Sequence, residues 1–140
     1  MKINFAVVAD AANESKEGKA NVLGIFTVIN SPQIPLIMPC ALVIIVQPEI
    51  EDVGTDVSIV AQWIDPEHEV LTENILTLSI GKPPFFPIPP ASLITQQSLP
   101  ALKFGPHEKV VTCGSQTIRT AIDVRVVIGK LPKPLAEIPE

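Results

Sequence analysis

The sequence contains no tyrosine, one tryptophan, two histidines and two cysteines. That is a thin inventory for catalysis, which needs a nucleophile, a base or a metal held together in one pocket. A G-x-S-x-G elbow, a P-loop, a dinucleotide glycine fingerprint and metal-ligand Cys/His spacing are all missing from the chain. His107 and Cys113 fall on the same face of one candidate strand, but about 20 Å apart by strand rise, too far for a nucleophile–base pair. His68 sits between Glu67 and Glu69 in a turn and reads as a solvated side chain. The expectation is a protein that performs no chemistry and carries no cofactor.

Positive charge is also scarce. Lys and Arg total 10 against 15 Asp and Glu, for a net charge of −5, and the basic residues are scattered. Without a clustered basic surface, nucleic acid and anionic membrane are not expected partners. Long hydrophobic runs are missing as well. A membrane span needs about 20 consecutive apolar residues. The most apolar run, 36–46, is shorter, contains Pro39 and is followed by Gln47, Pro48 and Glu49. The apolar start after Lys2 is interrupted by Asn4 and stops at Asp10, too short for a signal-peptide core. Cys40 and Cys113 then read as reduced core thiols in a cytoplasmic protein.

What the chain does have is isoleucine and valine. Hydrophobic residues make up 46% of it, and 15 prolines and 7 glycines punctuate the apolar runs. β-Branched side chains suit pleated sheets. No stretch longer than a turn or two repeats at helical spacing. The pattern predicts an all-β chain: one antiparallel β-sandwich of immunoglobulin-like size over 1–128, with a small β-barrel as the runner-up and a proline-containing tail over 129–140.

In order, segment 3–9 predicts a first strand with Ile3, Phe5, Val7 and Ala9 on one face. After a polar connection, 18–29 reads as one long strand, apolar on both faces and central in a sheet. Gly24 within it points to a bulge or a close backbone. Pro39 makes 36–38 an edge or lead-in segment, and 41–46 reads as a strand buried on both faces. Segments 57–64 and 69–80 predict a hairpin through the Asp65-Pro66 turn. Segment 93–104, split by Pro100, is mixed. Segments 107–113 and 117–128 predict the closing strands.

The opening strand ending in Ala9-Asp10, then Gly18, Lys19, Asn21, Val22, Gly24 and Phe26, then the Pro32 and Pro35 break, resembles a family of small, functionally uncharacterised bacterial proteins. The resemblance covers mainly 3–35. It implies an immunoglobulin-like sandwich, and no activity.

Two segments are candidate sites. The first is the proline-rich loop 81–90. Phe85 and Phe86 are two of only five phenylalanines, and a loop is an unusual place for them. Phe85, Phe86 and Ile88, with Lys82 at the rim, are the expected contacts for another protein or a second copy. The apolar face bearing Leu23 and Ile25 is an alternative interface. The second segment is the acidic loop 48–56, where Glu49, Glu51, Asp52 and Asp56 could supply oxygens to calcium or help hold a small ligand. The reading adopted is a non-enzymatic protein-binding or assembly module. The alternatives are that ligand- or calcium-dependent module and a structural subunit of a larger assembly.

Overall fold

The computed structural model describes residues 1–82 and 86–127. The predicted tail 129–140 lies outside them. Among the described residues nine strands form two sheets: β1 (Lys2–Glu14), β2 (Ala20–Ile25), β3 (Val28–Ser31), β4 (Leu36–Gln47), β5 (Asp56–Ile64), β6 (Val70–Ser79), β7 (Ala91–Ala101), β8 (Gly105–Cys113) and β9 (Gln116–Val126). One sheet has the order β2-β1-β4-β7 and the other β3-β9-β8-β5-β6. Every ladder is antiparallel except β3 with β9. The fold is therefore a β-sandwich rather than a barrel, as the alternating strands and regular turns predict. No helix among the described residues is long and apolar enough to cross a membrane.

The segment 18–29 differs from its prediction. It is two edge strands in two different sheets. Gly24 has φ +72°, which breaks the extended path, and the chain crosses from β2 to β3 at Phe26-Thr27. The central long strand is β4 instead. Ala41, Leu42, Val43 and Ile44 are all buried, as an apolar run without alternation requires. The β1–β4 ladder ends at Ala9–Ala41, so Pro39 lies where only β7 pairs with the strand. A proline costs least where one edge has no ladder to complete. Pro100 is likewise accommodated within β7, an edge strand.

β1 also departs from strict alternation. Its register with β4 shifts between Ile3 and Phe5. The shift turns Ile3 into the core while Phe5, Val7 and Ala9 face outward, so the four do not share a face. The strand continues to Glu14, and Ser15 closes the turn by accepting from Gly18 N–H at 3.0 Å. The β5–β6 hairpin matches expectation: Asp65 Oδ1 accepts from Glu67 and Glu69 N–H, both at 2.9 Å, and His68 takes φ 67°.

The core joins Val8, Leu42, Ile44, Val46 and Leu99 of one sheet to Ile59, Trp63, Val111, Ile122 and Val124 of the other. Polar side chains also tie the layers. Trp63 Nε1 donates to Pro100 O at 2.7 Å. The Gln116 side chain acts like a strand neighbour: its Oε1 accepts from Ile3 N–H at 2.7 Å and its Nε2 donates to Ile3 O at 2.8 Å. It satisfies an otherwise open backbone pair where β1 passes β9.

Candidate functional site

Paired residues of an antiparallel ladder share a face, so the outer surface of each sheet follows from its register. On the five-stranded sheet that surface is charged. Arg119 Nη1 bonds Glu108 Oε2 at 2.8 Å, Gln62 Nε2 donates to Glu73 Oε2 at 2.7 Å, and Arg125 pairs with Asp123. This is an ordinary solvated face.

The four-stranded sheet differs. Its outer rows are Phe5–Ile45–Ser92, Val7–Val43–Ile94, Ala9–Ala41–Gln96 with Ile25 beside Ala9, and Ala11–Leu23. Pro39–Ser98 and Ile37–Pro100 extend it along β4 and β7. None of these side chains is charged; the next row, Lys2–Gln47, places one lysine at the end of the face. Leu23 is 71% exposed and Ile37 69%, with Ile25 and Phe5 also open to solvent. The alternative interface at Leu23 and Ile25 is thus one end of a larger apolar face.

The proline-rich loop adjoins the opposite end of that face. It enters β7 beside Ser92, in the row that carries Phe5. Gln47 Nε2 donates to Ile88 O at 2.7 Å and ties the loop to the end of β4. Phe86 is 65% exposed, Lys82 is exposed and Ile88 half-buried. Phe85 lies outside the described residues.

The acidic loop is engaged locally. Asp52 Oδ2 accepts from the Met1 ammonium and from Glu49 N–H, each at 2.7 Å. Those two donors hold its carboxyl below the usual range. Glu49 Oε1 lies 3.8 Å from the Met1 amino group, Asp56 accepts from Ser79 Oγ at 2.6 Å, and Glu51 is exposed. Among the described residues no three His, Cys, Asp or Glu side chains converge as metal ligands.

Inside the sandwich lies a polar group of which the sequence singled out His107 but not Lys109. His107, Lys109, Val111 and Cys113 alternate inward along β8, and Lys109 is 1% exposed. Lys109 Nζ donates to Gln97 Oε1 at 2.9 Å across the layers. Burial pushes its ammonium down to about 8, with the nearby Cys40 opposing. His107 stacks on Trp63 with ring centroids 4.9 Å apart and planes 18° from parallel. Its Nδ1 lies 3.0 Å from Gly105 O, while its Nε2 and Thr72 Oγ1 are buried without a partner. The parity of Val111 and Cys113 on a core strand was the available signal: it carries 107 and 109 inward as well.

The fold and its surfaces define a two-layer β-sandwich with one charged and one apolar outer face. The chain belongs to the family of unknown function DUF6941, which matches residues 4–126. Comparison with curated proteins found no match.

Proposed function

We propose that the protein is a non-enzymatic assembly module that buries the outer face of its four-stranded sheet against a second copy of itself. The observation that carries this reading is the contrast between the two outer faces. One is laced with ion pairs; the other exposes Phe5, Leu23, Ile25 and Ile37, beside the half-buried Ile45, with no charge between them. Exposed apolar area of that extent is unfavourable in water and marks an interaction surface. A face whose centre carries no charge, with Lys2 at its edge, also meets its own copy without stranding an ion at the middle of an isologous contact.

The size is adequate. With β7 at 11 residues, four strands at standard spacing and rise present on the order of 700 Å². A standard interface takes about 800 Å² per partner. Lys82 and Phe86 supply the rim at the loop end.

Sedimentation equilibrium tests the reading. The wild-type chain is expected to form dimers at micromolar concentration. Leu23→Glu/Ile37→Glu is expected to be monomeric with an unchanged circular dichroism spectrum, because each partner would bury two carboxylates without counterions. Phe86→Ser is expected to weaken the dimer by less. A wild-type chain that stays monomeric at high concentration would overturn the proposal.

A further inference from the structure

Among the described residues Lys109 is the largest fully buried charged side chain, and it is under-partnered. Its ammonium has three donors, and among the described residues Gln97 Oε1 is its one hydrogen-bond acceptor. No described carboxylate lies within ion-pair distance of it. A cation held away from water without a counterion is costly and calls for a reason.

Gln97 is also part of a cavity wall. The cavity has a volume of about 120 Å³ and is lined by Thr72 and Asn74 of β6 and by Gln96, Gln97 and Ser98 of β7. It lies where the free edges of the two sheets face each other. Every lining residue is a neutral hydroxyl or amide, in a chain that is 46% hydrophobic. Thr72 Oγ1 is buried there without a partner. Glu73, the acidic neighbour on β6, is turned to the outer face by its bond with Gln62. Lys109 does not line the cavity itself; it stands one hydrogen bond behind it, through Gln97, while the lining supplies neutral donors and no carboxylate.

We propose that this cavity binds a small oxyanion, a carboxylate or a phosphate, whose charge is matched by Lys109 behind Gln97 and whose oxygens take the donors of Thr72 and the Gln97 amide. A water could occupy the cavity but would leave the Lys109 charge unmatched. The volume suits a small ligand, since a cavity of about 150 Å³ takes a molecule the size of benzene. Gln97 Oε1 is the group the anion displaces from Nζ: rotation of the amide would present its N–H₂ to the ligand in place of its oxygen. The two donors used, Thr72 and Gln97, face between the layers, whereas Gln96 and Ser98 line the cavity from the outer-face side of β7.

The test is calorimetric titration of the full chain at neutral pH and constant ionic strength, with sodium phosphate and, separately, sodium acetate. Saturable binding of at least one anion is expected, with a rise in melting temperature. Binding of phosphate alone assigns the site to phosphate-bearing ligands, and of acetate alone to carboxylates. Thr72→Val removes one donor on an edge strand and should weaken binding about tenfold. Lys109→Met should abolish it. If neither anion binds the wild type, or Lys109→Met binds as the wild type does, the proposal is overturned. Should Lys109→Met fail to fold, unchanged affinity in Thr72→Val overturns it equally.

Discussion

Asp10 stands opposite Gly24 across the β1–β2 hairpin, and its carboxyl group fills the space that a side chain at position 24 would need. A Cβ built on Gly24 would lie 2.9 Å from Asp10 Cγ, and the backbone there has φ +72°. Two separate costs thus meet at one glycine, a steric one and a conformational one. Gly24→Ala should lose about 2 kcal/mol in urea unfolding. Combining it with Asp10→Gly should recover the steric share and leave about 1 kcal/mol for the left-handed backbone. A double-mutant cycle with no coupling would show that the carboxylate moves aside freely.

The same glycine shows what could be read from the residues alone. A glycine inside an apolar strand signals a departure from regular pairing, and that much was legible. The crossing from one sheet to the other was not, because it depends on which neighbours β2 and β3 find. The core strands were clearer. The inward parity of Ile59, Ala61 and Trp63 and the unbroken run through Ala41 and Val43 are local patterns with one good burial solution. Pro39 and Pro100 obscured β4 and β7, since their tolerance depends on an absent ladder that only the tertiary pairing creates. The apolar outer face was half visible at Leu23 and Ile25. Its full extent needed the registers that add Phe5, Ile37 and Ile45. Lys109 was passed over because its type says surface while its parity says core.

Asp65 organises the β5–β6 turn. Its Oδ1 accepts two backbone N–H groups, and its Oδ2 lies 3.6 Å from Lys103 Nζ. The Glu69 N–H bond above all, then the Glu67 N–H bond and Lys103, outweigh its desolvation and hold the carboxyl below its usual value. A depressed acid stabilises the fold above its unfolded value and loses that contribution as pH falls through the folded one. Asp65→Ala should lower the melting temperature at neutral pH. Its deficit relative to wild type should shrink on acidification below the ordinary carboxylate range, because the wild-type group is then protonated. A deficit independent of pH would assign the role of Asp65 to packing.

Cys40 and Cys113 are free and buried, and burial pushes both thiols up. The nucleophile in disulfide exchange is the thiolate, so both factors slow modification. In the native protein at neutral pH, a chromogenic disulfide reagent should react at the rate of structural opening and independently of reagent concentration. In denaturant both thiols should titrate at once. A fast native phase from one of them would mean that its strand opens locally.

Lys109 makes the stability depend on pH in an unusual direction. Its folded value of about 8 lies below the ordinary 10.5. Between those values the unfolded chain binds the extra proton, so stability contributed by this group rises with pH there. Below pH 8 both states are charged and the full desolvation cost is present, on the order of 3 kcal/mol. The Met1 ammonium, raised by Asp52, and the two raised thiols act in the opposite sense above about pH 8. The lysine contribution must therefore be isolated by difference. Lys109→Met keeps the length of the side chain and removes the charge, but leaves Gln97 Oε1 without its donor. In an anion-poor buffer at pH 7 the variant should be more stable than wild type by about 2 kcal/mol. That advantage should shrink towards pH 10 as the wild-type amine becomes neutral. A variant less stable than wild type at pH 7, with a constant difference across the range, would mean that Lys109 reaches water in the folded state and bears no desolvation cost.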